Sequence, residues 1–245
     1  MERERAVARL EKQVAKWFRW QGRLVVGKLG RIRKHFTESA GSDFDALFDS
    51  AIKVTVRNGE EIFAAGMVPA VSQGYTELAN EVGMQDAFKL KQPEAVKWAS
   101  KQAAVDVSLV NDTTKETIRG IVTSGLDKGA SYDSVARKIT KRFAEFAVGK
   151  PQEHIESRAH LVAVNENAVA YAHGETTLLD EIESTGIAME KSWATSGDDK
   201  VSVGCQQNAD AGWIPNGEAF PSGDMTYPRF PGCRCNMHAR VSREG

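Results

Sequence analysis

Cysteine is scarce in this 245-residue chain. There are only three, and the odd count leaves no complete set of disulfides. Two of the three, Cys233 and Cys235, share one tripeptide, while Cys205 lies well upstream. No apolar run approaches the ~20 residues of a membrane span. The opening "MERERAVARLEKQ" is charged throughout and has no apolar signal core, so synthesis in the cytoplasm and no membrane partner are expected. A glycine-rich phosphate loop after a strand and a zincin-type His pair are both missing, which removes two common enzymatic frameworks. Proline is also sparse, with seven residues. Long stretches can therefore hold a helical rhythm without interruption.

Net charge is close to balanced at −1, but it is unevenly spread. Eleven Lys/Arg stand against three Asp/Glu between Met1 and His35, a local +8 that leaves −9 for the remainder. Apolar residues in this segment (Val7, Leu10, Val14, Trp17, Leu24, Val25, Leu29 and Ile32) recur mostly at three- and four-residue spacing. That spacing predicts an amphipathic helix, weakened at Gly22, Gly27 and Gly30 by about 1 kcal/mol each relative to Ala. Its basic face, Arg3, Arg9, Lys12, Lys16, Arg19, Arg23, Lys28, Arg31 and Lys34, is a candidate contact surface for a phosphate backbone or an acidic partner. Trp17, Phe18 and Trp20 interleave with these charges. They fit either a buried helix face or stacking platforms for nucleic acid.

Gly41-Ser42 predicts the end of that segment, with Ser42 and Asp45 as a reciprocal capping pair for the next helix, which Pro69 is expected to break. Pro93 suits a first helical turn and Asn111 or Asp112 an N-cap. Gly129 ends a helix and Ser131 starts another. A last long helix runs from Pro151 to about Gly174. After about residue 185 the chain turns rich in Gly, Pro, Asn and Asp. "AMEKSW" and "KVSVGC" alternate like short strands, with "SGDD" as a turn between them. The expectation is an α+β protein, predominantly α. A basic N-terminal helix (1–40) and a helical body (41–184) precede a small β-rich, cysteine-containing C-terminal domain (185–245).

Three readings stay open for the cysteines. Cys205, Cys233, Cys235 and His238 have the donor chemistry of a zinc site. A disulfide could join Cys205 to one of the pair. Plain burial is the third, since free cysteine is among the most buried residue types. A catalytic thiol lacks an obvious orienting group beyond His238. Asp198 and Asp199 read as turn residues.

The order of motifs resembles the phage Mu F-like minor head proteins, the head morphogenesis family. Trp193, Asp199 and Cys205 keep the family's order in the C-terminal region. "GWIPNGEAFPSG" supplies its Gly/Phe/Gly loop, and Pro231, Cys233, Arg234 and Cys235 its closing signature. "RAHLVAVNE" matches the family's last long helix through Arg158, Ala159, Ala163 and Glu166, with internal salt bridging as the expected role of the two charges. Three positions depart from the pattern: Ser202 stands for a cysteine, Phe230 for a histidine and Gly232 for an asparagine. A four-thiolate zinc site therefore cannot form, and a metal would have to recruit His238 or Asp199.

The resemblance implies a non-enzymatic minor capsid protein of a tailed bacteriophage, carried in the virion head at the portal vertex in several copies. Its implied partners are the portal protein and other head or neck proteins, with packaged double-stranded DNA as a further contact. The alternative is a DNA-binding accessory factor that works through the basic helix.

Overall fold

The computed structural model describes residues 2–31, 36–148 and 157–242. Their element order is α1 (Glu2–Leu29), α2 (Phe36–Glu81), α3 (Gln92–Asp127), α4 (Tyr132–Val148), α5 (Arg158–Ser184), β1 (Met189–Ala194), α6 (Val203–Asp210), β2 (Trp213–Pro215) and β3 (Asn236–Val241). The architecture is α+β and predominantly α, as expected. None of these helices is long and apolar enough to cross a membrane.

The chain packs as two compact units that are discontinuous in sequence. One comprises Val7–Ala64 and Ser100–Ala163, and the other Met1–Ala6, Ala65–Ala99 and Val164–Gly245. The sequence boundaries near 40 and 185 follow element type, whereas the packing units cut through α1, α2, α3 and α5.

Among its described residues the first unit holds only helices and the turns that join them. The apolar stripe of α1 (Leu10, Val14, Trp17, Phe18, Val25 and Leu29) is buried, as are Phe44, Phe48 and Phe63 of α2 and Phe143 and Phe146 of α4. Gly22 does not break α1. A Cβ there would sit 2.7 Å from Phe143, so the glycine makes room for a ring. A small polar knot lies in this apolar core. Gln21 Nε2 donates to Thr55 Oγ1 (3.2 Å) and Asn111 Oδ1 (2.9 Å), and Trp17 Nε1 donates to the Thr55 carbonyl (3.0 Å). Asn111 is thus an interior residue of α3 that answers Gln21, not an N-cap. The sequence-predicted end at Gly129 does hold: φ of +60° is left-handed backbone, and Ala130 N bonds back to the Gly125 carbonyl.

The second unit packs parts of α2 and α5 with a three-stranded antiparallel sheet of order β2-β1-β3. Met189, Lys191 and Trp193 of β1 point inward, as period-two alternation requires. Its core joins Tyr75 and Leu78 of α2, Leu178, Leu179 and Ile182 of α5, Trp193, Phe220, Tyr227, Met237 and all three cysteines.

Several expected boundaries move. α2 runs unbroken through Gly41, Ser42 and Pro69, and α5 passes Gly174 to end at Ser184. The expected start of a helix at Pro151 lies outside the described residues. "KVSVGC" is no strand: Ser202 caps α6, its Oγ accepting from Cys205 N at 3.3 Å. The strands that pair with β1 are instead β2 and β3.

Candidate functional site: a buried three-thiol cluster and a basic helix face

Three local devices bring the cysteines together. Capping by Ser202 places Cys205 in the first turn of α6. The stretch Phe230-Pro231-Gly232-Cys233 closes as a turn, with Cys233 N donating to the Phe230 carbonyl at 2.9 Å and Gly232 at φ +86°. Proline followed by a left-handed residue is the pattern of a type II turn. Gly232 thus stands where the backbone needs a positive φ, which asparagine also tolerates better than other side-chain-bearing residues. Cys235 then leads into β3 on the inward parity it shares with Met237 and Ala239.

The result is a cluster in which all three Sγ atoms lie within 4.8 Å of one another, Cys205 and Cys233 at 3.9 Å. The residues are 1%, 5% and 7% exposed. Among the described residues, no other set of three His, Cys, Asp or Glu side chains could share an ion. The thiols are electrostatically unequal. Cys233 is held well below the usual thiol range. The neighbouring Cys235 thiol is the largest cause, and the backbone N–H groups of Cys235 and Arg229 also donate to it. Cys235 is pushed up, first by its bond to Cys233 and then by burial, and Cys205 is pushed up by burial. The Trp193 indole acts on Cys235 in the opposite sense, favouring its thiolate. Its Nε1 is buried and has no hydrogen-bond acceptor among the described residues.

His238 is not in this cluster. One residue off the inward parity of β3, it is exposed, and its Nδ1 pairs with Glu81 Oε1 at 3.0 Å. Asp199 is exposed and also lies apart. Arg234, between two thiols, points away from the core and is gripped by both carboxylate oxygens of Asp198. This guanidinium, with a lesser contribution from Lys200 N, lowers the Asp198 pKa to about 2. Asp198 is therefore more than a turn residue: it ties the β1–α6 connection to the cysteine tripeptide.

Arg158 and Glu166 fall in different units. Arg158 Nη2 donates to the Val110 carbonyl at 3.1 Å, and its guanidinium lies over Phe146 (4.5 Å) and Phe18 (5.3 Å). Burial lowers its pKa to about 10. A carbonyl and two rings thus hold it, where the sequence predicts an internal salt bridge. Glu166 is buried and accepts from Asn165 Nδ2 at 3.1 Å.

Arg9, Lys12, Lys16, Arg19 and Arg23 of α1, and Arg31 just beyond its end, are exposed. Lys12, Lys16, Arg19 and Arg23 follow at intervals of four, three and four, which keeps them on one helix face. Lys28 is half-buried and donates to Ser50 Oγ at 2.9 Å. Arg3 turns elsewhere: its Nε donates to Asn167 Oδ1 at 3.1 Å, and it lies 4.6 Å over the Tyr171 ring. Lys34 lies outside the described residues. Trp17 and Phe18 are buried, so they are core and cannot stack on bases. Trp20 is half-buried beside a groove of about 360 Å³ bordered by Gln13, Lys16 and Ile62.

One polar centre has no counterpart in the sequence reading. Glu175 is 3% exposed and accepts from Tyr227 Oη at 2.9 Å, while Tyr171 Oη donates to Glu77. Burial raises the Glu175 pKa to about 8 against the opposing hydrogen bond from Tyr227. Only the E-T-T-L-L context is visible in sequence, and a glutamate one step from an apolar helix face carries no signal of its own.

No curated protein and no solved structure matches this chain. A family model described as Phage Mu protein F like protein matches residues 116–238, half of the chain. The match takes in α4, α5, the whole sheet up to His238, and the thiol cluster. On that match over half of its length, the chain belongs to the Phage Mu protein F like family, a family of bacteriophage head-morphogenesis proteins.

Proposed function

We infer that the protein is a minor head protein of a tailed bacteriophage that acts at the portal vertex during head assembly. The observation that carries this reading is the family match over residues 116–238. Its work is recognition, not catalysis. Portal protein and other head or neck proteins are its partners, and several copies enter each particle.

The exposed basic face of α1 is the surface turned to packaged DNA. Lys12 to Arg23 spans about 16 Å at 1.5 Å per residue, long enough to meet several phosphates of a duplex that carries one charge per ~1.7 Å of axis. Trp17 and Phe18 are committed to the core, which favours a phosphate-tracking contact over base stacking.

Cosedimentation with assembled portal rings, across a salt series and with duplex DNA as competitor, tests the reading. Portal binding that survives both salt and DNA is the expected result. Salt-sensitive DNA binding with no portal binding would overturn it in favour of an accessory DNA-binding factor.

A further inference from the structure

We propose that Cys205, Cys233 and Cys235 bind one thiophilic d10 cation, zinc in the cell, through three thiolates, with a water molecule in the fourth position.

Spacing is the first support. Sulfurs bound to one tetrahedral zinc at about 2.3 Å lie about 3.8 Å apart. Cys205 and Cys233 already stand at 3.9 Å, and no sulfur in the set is more than 4.8 Å from another. The three ligands come from a capped helix turn, a type II turn and the start of a strand, so backbone geometry fixes all three.

Second, the cluster is equipped for anionic sulfur. The buried Trp193 indole N–H, with no hydrogen-bond acceptor among the described residues, shares the core with the three cysteines. Three neutral thiols packed as hydrophobes need no such donor, whereas outer donors to sulfur are the usual companions of a metal–thiolate site.

Third, the remaining candidate ligands are committed elsewhere. His238 is outward on β3 with Glu81, Ser202 caps α6, and Asp198 holds Arg234. Protein ligation therefore stops at three. On binding, each protonated thiol releases its proton to solvent as the S–H bond gives way to a sulfur–metal bond, with no change in oxidation state. The inference does not depend on where in the phage head the protein works.

The test uses the full chain, purified under reducing conditions and without a histidine tag. Elemental analysis counts the zinc it retains, and replacement by Co(II) reports the ligands through sulfur-to-cobalt charge-transfer absorption. One ion per chain and a three-thiolate cobalt spectrum are expected. Cys205→Ser and Cys233→Ser should each weaken cobalt affinity more than about a hundredfold, beyond the 10–100-fold typical of outer-shell changes. Circular dichroism on the wild-type chain before and after chelation separates metal loss from misfolding, because no substitution is involved. Three thiols that all react with a thiol reagent, in a folded chain that takes up neither zinc nor cobalt, would overturn the proposal. So would a chain isolated without reductant that is lighter by two hydrogens, the mark of a disulfide between two of the three cysteines.

Discussion

Gly74 of α2 and Gly174 of α5 bring two helix backbones so close that neither position can carry a side chain. A Cβ on Gly74 would stand 2.1 Å from the Tyr171 carbonyl oxygen, and one on Gly174 would stand 2.1 Å from that of Val71. Since backbone is the obstacle, no rotamer change relieves the clash. The approach seats Tyr75, Leu78, Tyr171 and Leu178 in one core with the sheet.

Substituting alanine at either glycine inverts the usual helix rule. Gly→Ala inside a helix ordinarily stabilises by up to about 1 kcal/mol. Here overpacking should cost about 1–3 kcal/mol. Gly27→Ala and Gly120→Ala, in helices and with nothing near the added methyl, serve as controls that should hold or raise stability. Urea unfolding of the four variants checks the sign. Equal behaviour at all four positions would refute the close approach.

The same pair shows what the sequence could and could not tell. Gly174 reads as a helix end because glycine is a common C-cap, yet here it serves close packing in mid-helix. Pro69 reads as a breaker, but Met67, Ala70 and Val71 around it are buried, and that packing outweighs the missing hydrogen bond. "KVSVGC" alternates like a strand, and Ser202's capping bond to Cys205 decides for helix. β3 is invisible in the sequence because its partner β1 lies over 40 residues away, so no local turn announces it. With β3 hidden, the parity that separates His238 from Cys235 is hidden too. The Gly129, Ser131 and Pro93 signals hold, because each is local chemistry that tertiary packing does not override.

Glu175 predicts a pH dependence. Its folded pKa of about 8 lies above the 4.5 of an unperturbed glutamate, so the folded state binds the extra proton between those values. Stability contributed by the neutral carboxyl is then fully present below about 4.5, lost as pH rises towards 8, and constant above it. The slope approaches 1.4 kcal/mol per pH unit at most. Tyr227, Arg3, Glu77 and Glu81 share the environment. Glu175→Gln keeps an acceptor for Tyr227 and removes the titration. Urea unfolding from pH 5 to 8.5 should show a falling curve for the native chain and a flatter one for the variant. Parallel curves would refute the assignment.

Arg3 and the α1 stripe should separate cleanly in mutagenesis. Neutralising Lys12, Lys16, Arg19 and Arg23 to Gln removes exposed charge, so folding stability should stay within about 0.5 kcal/mol per position. The salt dependence of duplex DNA binding should flatten by about 0.9 in log–log slope for each phosphate that is no longer neutralised. Arg3→Ala should leave that slope alone and lower stability, because it removes the Asn167 hydrogen bond and the cation above the Tyr171 ring. Fluorescence anisotropy at several salt concentrations, paired with thermal melts, gives both readings. An unchanged slope in the fourfold variant would remove α1 as the DNA surface.

Gly232 tests the turn beneath the thiol cluster. Its φ of +86° lies in the region that costs a residue with a Cβ roughly 1–2 kcal/mol. Asparagine tolerates that backbone better than alanine does, and β-branched valine tolerates it worst. Thermal stability should therefore fall in the order Gly, Asn, Ala, Val. If the cluster binds metal, affinity for Co(II) should fall in the same order, because the turn that sets φ at residue 232 also sets Cys233 against Cys205. A chain in which Gly232→Val melts like the native protein would show that the turn does not govern the placement of Cys233.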